Sequence, residues 1–239
     1  MTDEVLARAD GFMWSRARLL ERRAYEHAFH DGDGDAVVQS VRAFRNPDGG
    51  FGHALEPDLR TPASQPIFVH YGLSLLQLAD VNDRRLVRGT CEFLALVAHE
   101  SGAVPYALPD ARNYDRAGHW NGEFAFAPSL HATAGVTGVL HALGAVHEWL
   151  DRATDWCLQQ IEGKPKYSGH TLLNALELLR FLPDRDRADQ LWEHATERLF
   201  ESDHVALELP LKGYGLTPLH FAPTPEAPAR SEGASIRSP

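Results

Sequence analysis

Four charged or titratable side chains fall within eight residues of the stretch "NPDGGFGHALEPDLR" (46–60): His53, Glu56, Asp58 and Arg60. The segment carries prolines and has little helical tendency, so these groups stand on a loop rather than around a helix. A buried Glu56 or Asp58 would have a raised proton affinity and could act as a general acid toward an alkene. Arg60 has the planar fork that grips a carboxylate or a diphosphate. The structural alternative is that Glu56 or Asp58 pairs with Arg60 and staples the loop. His-x-x-Glu-x-Asp is not a specific metal-ligand spacing. No metal ligand is therefore assigned, and the cofactor stays open, a divalent cation included.

Thirteen histidines is a high count, and three of them hold similar places near the starts of apolar segments: His70, His131 and His170. At one level of a ring they would face a shared cavity and bind substrate or move protons. Taken singly, each reads as a satisfied, partly buried histidine. The stretch "VPYALPDARNYDRAGHWNGEFAFAPS" adds Tyr106 and Trp120, together with Tyr114, His119, Phe124 and Phe126. Aromatic faces stabilise cations through the ring quadrupole. The same set also suits an apolar pocket, or the packing of a long ordered loop. No nucleophile elbow, P-loop or dinucleotide fingerprint occurs.

The elements that must position these groups are helical, because apolar residues recur at three- and four-residue spacing along most of the chain. The pattern predicts one long helix or two over 3–30, with Gly11 as the weak point. Asp35 is the expected cap of the helix that follows "DGDGD". Further helices are expected at about 66–80, 83–99, 129–144, 147–161, 168–182 and 186–200, with a long ordered loop over 101–128. The reading is one domain over 1–222, and a disordered Pro/Ser-rich tail over 223–239.

An internal repeat organises the helices. "DGGFGHALEPD" (48–58) aligns with "SGAVPYALPD" (101–110) across one gap, at a period of about 53 residues, close to a helical hairpin plus its loop. Gly49 matches Gly102, Phe51 matches Val104, and His53 matches Tyr106. The segments "PIFVHYGLSLLQLA", "PSLHATAGVTGVLHALG" and "YSGHTLLNALELLRFL" are apolar around most of their circumference and read as buried. The helices between them keep a charged face. An inner apolar layer with an outer amphipathic layer predicts an all-α fold, an α/α toroid built as a partial barrel of about four hairpins. The alternative is an open α-solenoid.

The bulk numbers set outer limits. With 239 residues, 44% hydrophobic and 23% charged, the chain can bury a core without disulfides. A formal net charge of −10 argues against a nucleic-acid partner, which needs a basic surface. Cys91 and Cys157 lack any paired spacing, the first residues lack a signal core, and charges interrupt every apolar run. The expectation is a cytoplasmic protein without a transmembrane segment. Composition leaves its oligomeric state open.

"AFRNPDGGFGHALEPDLR" resembles the repeat loop of the terpenoid cyclase and protein prenyltransferase superfamily. Asp48-Gly49-Gly50-Phe51 is similar to the Asp-Gly-Gly-aromatic turn of squalene-cyclase-type repeats. Glu56, Asp58 and Arg60 match a Glu-x-Asp-x-Arg run of prenyltransferase β subunits. The likeness covers about residues 14–222 and is greatest to bacterial prenyltransferase-like, squalene-cyclase-like proteins of unestablished reaction. It implies an α/α toroid whose central cavity takes an isoprenoid or a similar apolar small molecule. Glu56 or Asp58 would be the acid and Arg60 the anion anchor. His53, His70, His131 and His170 would form the polar part of the pocket, and Tyr106 and Trp120 its aromatic wall. The DxDD, DDxxD and Asp/Cys/His zinc motifs are missing. That keeps a second reading in play, a non-catalytic toroid that binds a small molecule or a protein partner. A carbohydrate-active α/α barrel is a third, disfavoured because the inner segments hold few acids.

Overall fold

The computed structural model describes residues 3–163, 167–197 and 215–221. Among them are ten α-helices and no strand: α1 (Asp3–Arg16), α2 (Leu19–Phe29), α3 (Gly34–Arg42), α4 (Pro66–Leu78), α5 (Arg84–Val97), α6 (Leu130–Ala142), α7 (Glu148–Gly163), α8 (Gly169–Phe181), α9 (Arg185–Thr196) and the short α10 (Pro218–Phe221). Three 3-10 turns, Pro109–Asn113, Gly118–Asn121 and Glu123–Phe126, interrupt the long loop before α6. None of the helices described is long and apolar enough to cross a membrane. The tail expected over 223–239 lies outside the described residues.

Helix starts follow local chemistry. Asp83, Ser129, Ser168 and Asp184 each accept a backbone N–H from the first turn of α5, α6, α8 and α9. α4 begins on Pro66, whose fixed φ suits the first helical position. Two expectations need correction. The cap of α3 is Asp33, not Asp35; Asp33 is extended and accepts from the Asp35 N–H. The break in the first helical stretch falls at Ala17 and Arg18, not at Gly11, which sits inside α1. Arg18 is extended where it precedes α2, and its guanidinium reaches to the carbonyls of Ala54 and Leu55.

The helices pack in two layers. α2 packs on α4, α4 on α6, and α6 on α8, forming one layer. α5 packs on α7 and α7 on α9, forming the second. The pairs α2/α3, α4/α5, α6/α7 and α8/α9 join the layers as successive hairpins. Burial follows this order. α6, between α4 and α8, is buried at every position from Ala132 to Leu140, whereas α1 buries no residue. α1 is held instead by polar contacts: Asp10 accepts from the Tyr25 hydroxyl and meets His30, each at 2.7 Å.

The repeat seen in the sequence is a repeat in space. The Asn46 N–H bonds the Gly50 carbonyl, as the His99 N–H bonds that of Ala103. The Gly49 N–H bonds Asn46, as Gly102 bonds His99. The Asp48 side chain accepts from the Gly50 N–H and the Ser101 hydroxyl from the Ala103 N–H. Phe51 and Val104 are both fully buried, and their carbonyls accept from Gln65 and Ser129, the residues that open α4 and α6. Gly49 and Gly102 have φ of 91° and 89°. A Cβ on Gly49 would lie 2.3 Å from the Gly89 carbonyl oxygen of α5, and one on Gly102 would lie 2.9 Å from the Ala153 nitrogen of α7. Each corner therefore seats its backbone directly on the next helix of the second layer.

Gly49→Ala should cost about 2–4 kcal/mol of unfolding free energy, because it meets both a left-handed φ and a backbone oxygen. Gly11→Ala, in open space inside a helix, should be neutral or stabilising by up to about 1 kcal/mol. Urea denaturation of the two variants beside the wild type measures both effects, and equal effects would refute the corner contact.

Candidate functional site

Five of the ten aromatic and imidazole groups singled out in the sequence meet in one contiguous chain. Asp58 Oδ2 lies 3.9 Å from His119 Nε2. The His119 ring lies 5.2 Å from Trp120, and Trp120 stands edge-on to Tyr106 at 6.0 Å. Tyr106 stands edge-on to His131 at 4.6 Å, and His131 stacks on His170 at 5.7 Å with 3° between the ring planes. Local structure explains the gathering. The 3-10 turns fold the long loop back over the start of α6, and the Tyr106 carbonyl accepts from Ile67 in the first turn of α4. His131 and His170 are both second residues of their helices, α6 and α8, and the Asn174 amide of α8 donates to the His131 carbonyl at 2.9 Å.

His70 does not share their level. It is the fifth residue of α4, and its ring abuts Gly135, one turn further along α6 than His131. Burial lowers its pKa to about 4, so the ring is neutral at physiological pH.

Tyr106 and Trp120 are 9% and 7% exposed, yet the Tyr106 hydroxyl and the Trp120 Nε1 have no hydrogen-bond partner among the described residues. They sit in a small cluster whose other members, Ala125, Ala132, Ile67, Ala117 and Phe126, offer only apolar side chains. A buried donor left unsatisfied costs about 1–3 kcal/mol. Two of them meet here in ring contact, whereas the other buried side-chain atoms without partners among the described residues, Arg180 Nε and His194 Nε2, stand on α8 and α9.

The four charged groups of the first loop do not converge. His53 is exposed and turns its Nε2 to the Asn46 Oδ1 at 3.0 Å. Asp58 and Arg60 are exposed as well, and their backbones are sewn to the second loop. The Ala117 N–H donates to the Asp58 carbonyl and the Arg60 N–H to that of Asp115, around the isolated bridge between Leu59 and Arg116. The expected pairing of Glu56 or Asp58 with Arg60 is not formed among the described residues. Glu56 instead accepts the Asp58 N–H at 3.2 Å and lies half-buried, on the side of Arg18. Burial raises its proton affinity and the Asp58 charge adds to the rise, while Arg18 works against both. The physical reason for the split is the backbone. His53 and Ala54 are consecutive left-handed residues, φ 57° and 56°, so the chain turns sharply between the histidine and the acids.

Arg18 holds that turn, and nothing in its sequence neighbourhood marks it. Its guanidinium donates to Ala54 O at 2.7 Å and Leu55 O at 2.8 Å, pairs with Glu21, and lies 5.6 Å from the Phe44 ring centre. Tyr71 of α4 faces the same group; burial raises its pKa, and the Glu21 charge adds to that. Gln65, fully buried, is a second residue the sequence did not single out. It accepts from the Leu108 N–H at 2.6 Å and reaches Asp110, which ties the two repeat loops together. The only hint was a polar residue directly before the proline that opens an apolar helix. An open groove of about 360 Å³ runs between α2 and α3, lined by Arg18, Leu19, Leu20, Ala43 and Phe44. No group of three metal-ligating side chains comes together among the described residues.

No protein-family model matches the chain, and no curated protein matches it.

The buried neutral His70 makes stability depend on pH. Its folded pKa, about 4, lies below the ordinary 6.5, so in that interval the unfolded chain binds a proton that the folded one does not. This stability is complete above pH 6.5 and is lost as pH falls toward 4. Wild type should therefore lose about 2 kcal/mol more than His70→Gln between pH 7 and pH 4.5, by urea denaturation followed by circular dichroism. Parallel profiles would show that His70 titrates as an exposed group.

Proposed function

We propose that this chain is an α/α toroid of the prenyltransferase-like and terpene-cyclase-like kind, and that it binds an apolar, isoprenoid-type small molecule against its inner-layer helices. One observation supports the reading above the others: the ring chain from Trp120 through Tyr106 and His131 to His170, in which the Trp120 and Tyr106 donors lack partners among the described residues. Aromatic and imidazole surfaces of this kind suit a polyunsaturated hydrocarbon, whose π-bonds and transient cations they can face. The two-layer order of hairpins and the repeated glycine corner fit the same architecture.

The catalytic part of the proposal rests on Glu56. Alkene protonation needs a carboxylic acid kept protonated away from water, and burial raises the proton affinity of the half-buried Glu56. Asp58 and Arg60 are exposed, so neither is the buried acid nor an anchor inside a dry pocket. That observation favours the second reading, a toroid that binds such a molecule without converting it.

Incubation with squalene, farnesyl diphosphate and geranylgeranyl diphosphate separates the two, with binding followed by tryptophan fluorescence and products by mass spectrometry. Saturable binding, weakened about tenfold by Trp120→Ala, is the expected result, equivalent to roughly 1.4 kcal/mol. Product formed by wild type and lost in Glu56→Gln establishes the enzyme; binding without product in either establishes the binder. No binding of any of the three removes the isoprenoid reading.

A further inference from the structure

We infer that the Tyr106/Trp120 cluster is the head-group site of the ligand, and that it takes an uncharged oxygen acceptor, an alcohol, aldehyde or ketone, rather than a diphosphate. The inference rests on the small-molecule reading above and narrows it. The indole N–H of Trp120 can only donate, and the Tyr106 hydroxyl has no acceptor to donate to among the described residues. Both rings belong to one cluster and stand edge-on, 6.0 Å apart centre to centre. What they lack is therefore an acceptor oxygen, and every other side chain of their cluster is an alkyl or a phenyl group.

The charge around the site selects against a diphosphate. The members of the cluster carry no ionised side chain, and His70, in the same inner layer, is held neutral by its burial. The nearest ionised group along the ring chain is a carboxylate, Asp58, beyond His119. The Arg112 guanidinium lies 3.9 Å from the Phe126 ring centre, but it is already bonded to both carboxylate oxygens of Glu123. A diphosphate placed there would bring several negative charges into an apolar surround and toward carboxylates, and would have to displace Glu123 to gain that cation. A neutral oxygen can accept from either donor and brings no charge. The apolar remainder of such a ligand would extend along the inner layer, past the stacked imidazoles of His131 and His170.

The orphaned hydroxyl also gives the site a signature that a packing role would lack. Removing an unpartnered buried hydroxyl relieves a desolvation cost, so Tyr106→Phe should fold at least as stably as wild type while losing its hold on the head group. Stability and affinity then move in opposite directions, which is the mark of a group kept for binding.

Four probes with one C15 chain test this: farnesene, farnesol, farnesal and farnesyl diphosphate, each titrated against the full chain by tryptophan fluorescence. Farnesol and farnesal should bind at least tenfold more tightly than farnesene, and more tightly than the diphosphate. Tyr106→Phe should weaken the two oxygenated probes about tenfold, leave farnesene unchanged, and leave the melting temperature equal or higher. Trp120→Phe should act in the same direction and provides an independent check. Equal binding of farnesene and farnesol overturns the head-group assignment while leaving the apolar-binding reading intact. Tightest binding by the diphosphate overturns it too, as does a Tyr106→Phe variant that melts several degrees lower or loses all four probes alike. Failure of all four probes to bind wild type would refute the small-molecule reading itself, and this assignment with it.

Discussion

The arrangement of this protein depends on a backbone-to-backbone contact made twice. Gly49 and Gly102 end their hairpins in a left-handed turn and press directly on the helix that begins the next unit of the second layer. No side chain fits between, so the spacing of α5 and α7 from the corners behind them is set by backbone dimensions alone. The same turn delivers Phe51 and Val104 into the core two residues later, where full burial of each contributes roughly 1.5–3 kcal/mol. Their carbonyls then hold the opening residues of α4 and α6. One corner thus sets the outer spacing, supplies a core residue and fixes where the next inner helix starts.

Function enters where the two copies of the corner part company. Up to Phe51 and Val104 they make the same hydrogen bonds; one residue later they diverge. The first copy turns sharply through two left-handed residues, an arrangement that costs about 1–3 kcal/mol per residue and is held by the Arg18 guanidinium. Its histidine is consequently thrown outward. The second copy has Tyr106 in the place of His53 and runs inward, so that the tyrosine is buried against Trp120 and His131. The long 3-10-rich insertion then closes over it and is tied to the first loop through Leu59 and Arg116. A repeat that is structural in one copy becomes a binding candidate in the other by the direction of a single side chain.

This division explains what was legible in the sequence. The all-α class, most helix positions and the repeat register all rest on short-range periodicity and on turn chemistry, which a sequence carries openly. The matching of Gly49 with Gly102 and of Phe51 with Val104 is of that kind. Other features rest on partners far away along the chain. Arg18, at the break after Arg16, bonds the carbonyls at positions 54 and 55, and the buried amide of Gln65 bonds residues 108 and 110. His70 resembles His131 and His170 in being near a helix start, but a shift of three residues within its helix places it a turn away, beside Gly135. The four charged residues at 53–60 looked like one site because they are close in sequence. The backbone between them divides them between solvent and the Arg18 neighbourhood.

The two neighbourhoods that result have opposite electrostatic character, and this bears on what each can do. Around Arg18, two acids, a guanidinium and a tyrosine hydroxyl share a half-buried space, where burial raises the proton affinity of Glu56 and Tyr71 and the charge of Arg18 opposes both rises. That suits an acid whose proton affinity must be tuned. Around Tyr106 the side chains of the cluster are apolar, and the Arg112 guanidinium over Phe126 is paired with Glu123, so recognition there falls to shape and to individual hydrogen bonds. In such surroundings an unmade bond is expensive and a made one is decisive, because no water competes for it. The covalent link between the two is short: Glu56 faces the first neighbourhood, and Asp58, two residues on, faces His119 at the edge of the second. An apolar chain whose oxygen is held at Tyr106 would therefore have the tunable acid at a defined remove, set by the rigid 55–59 segment whose two leucines are fully buried. On the proposed reading, ligand length would decide whether an apolar chain anchored at Tyr106 reaches Glu56 at all.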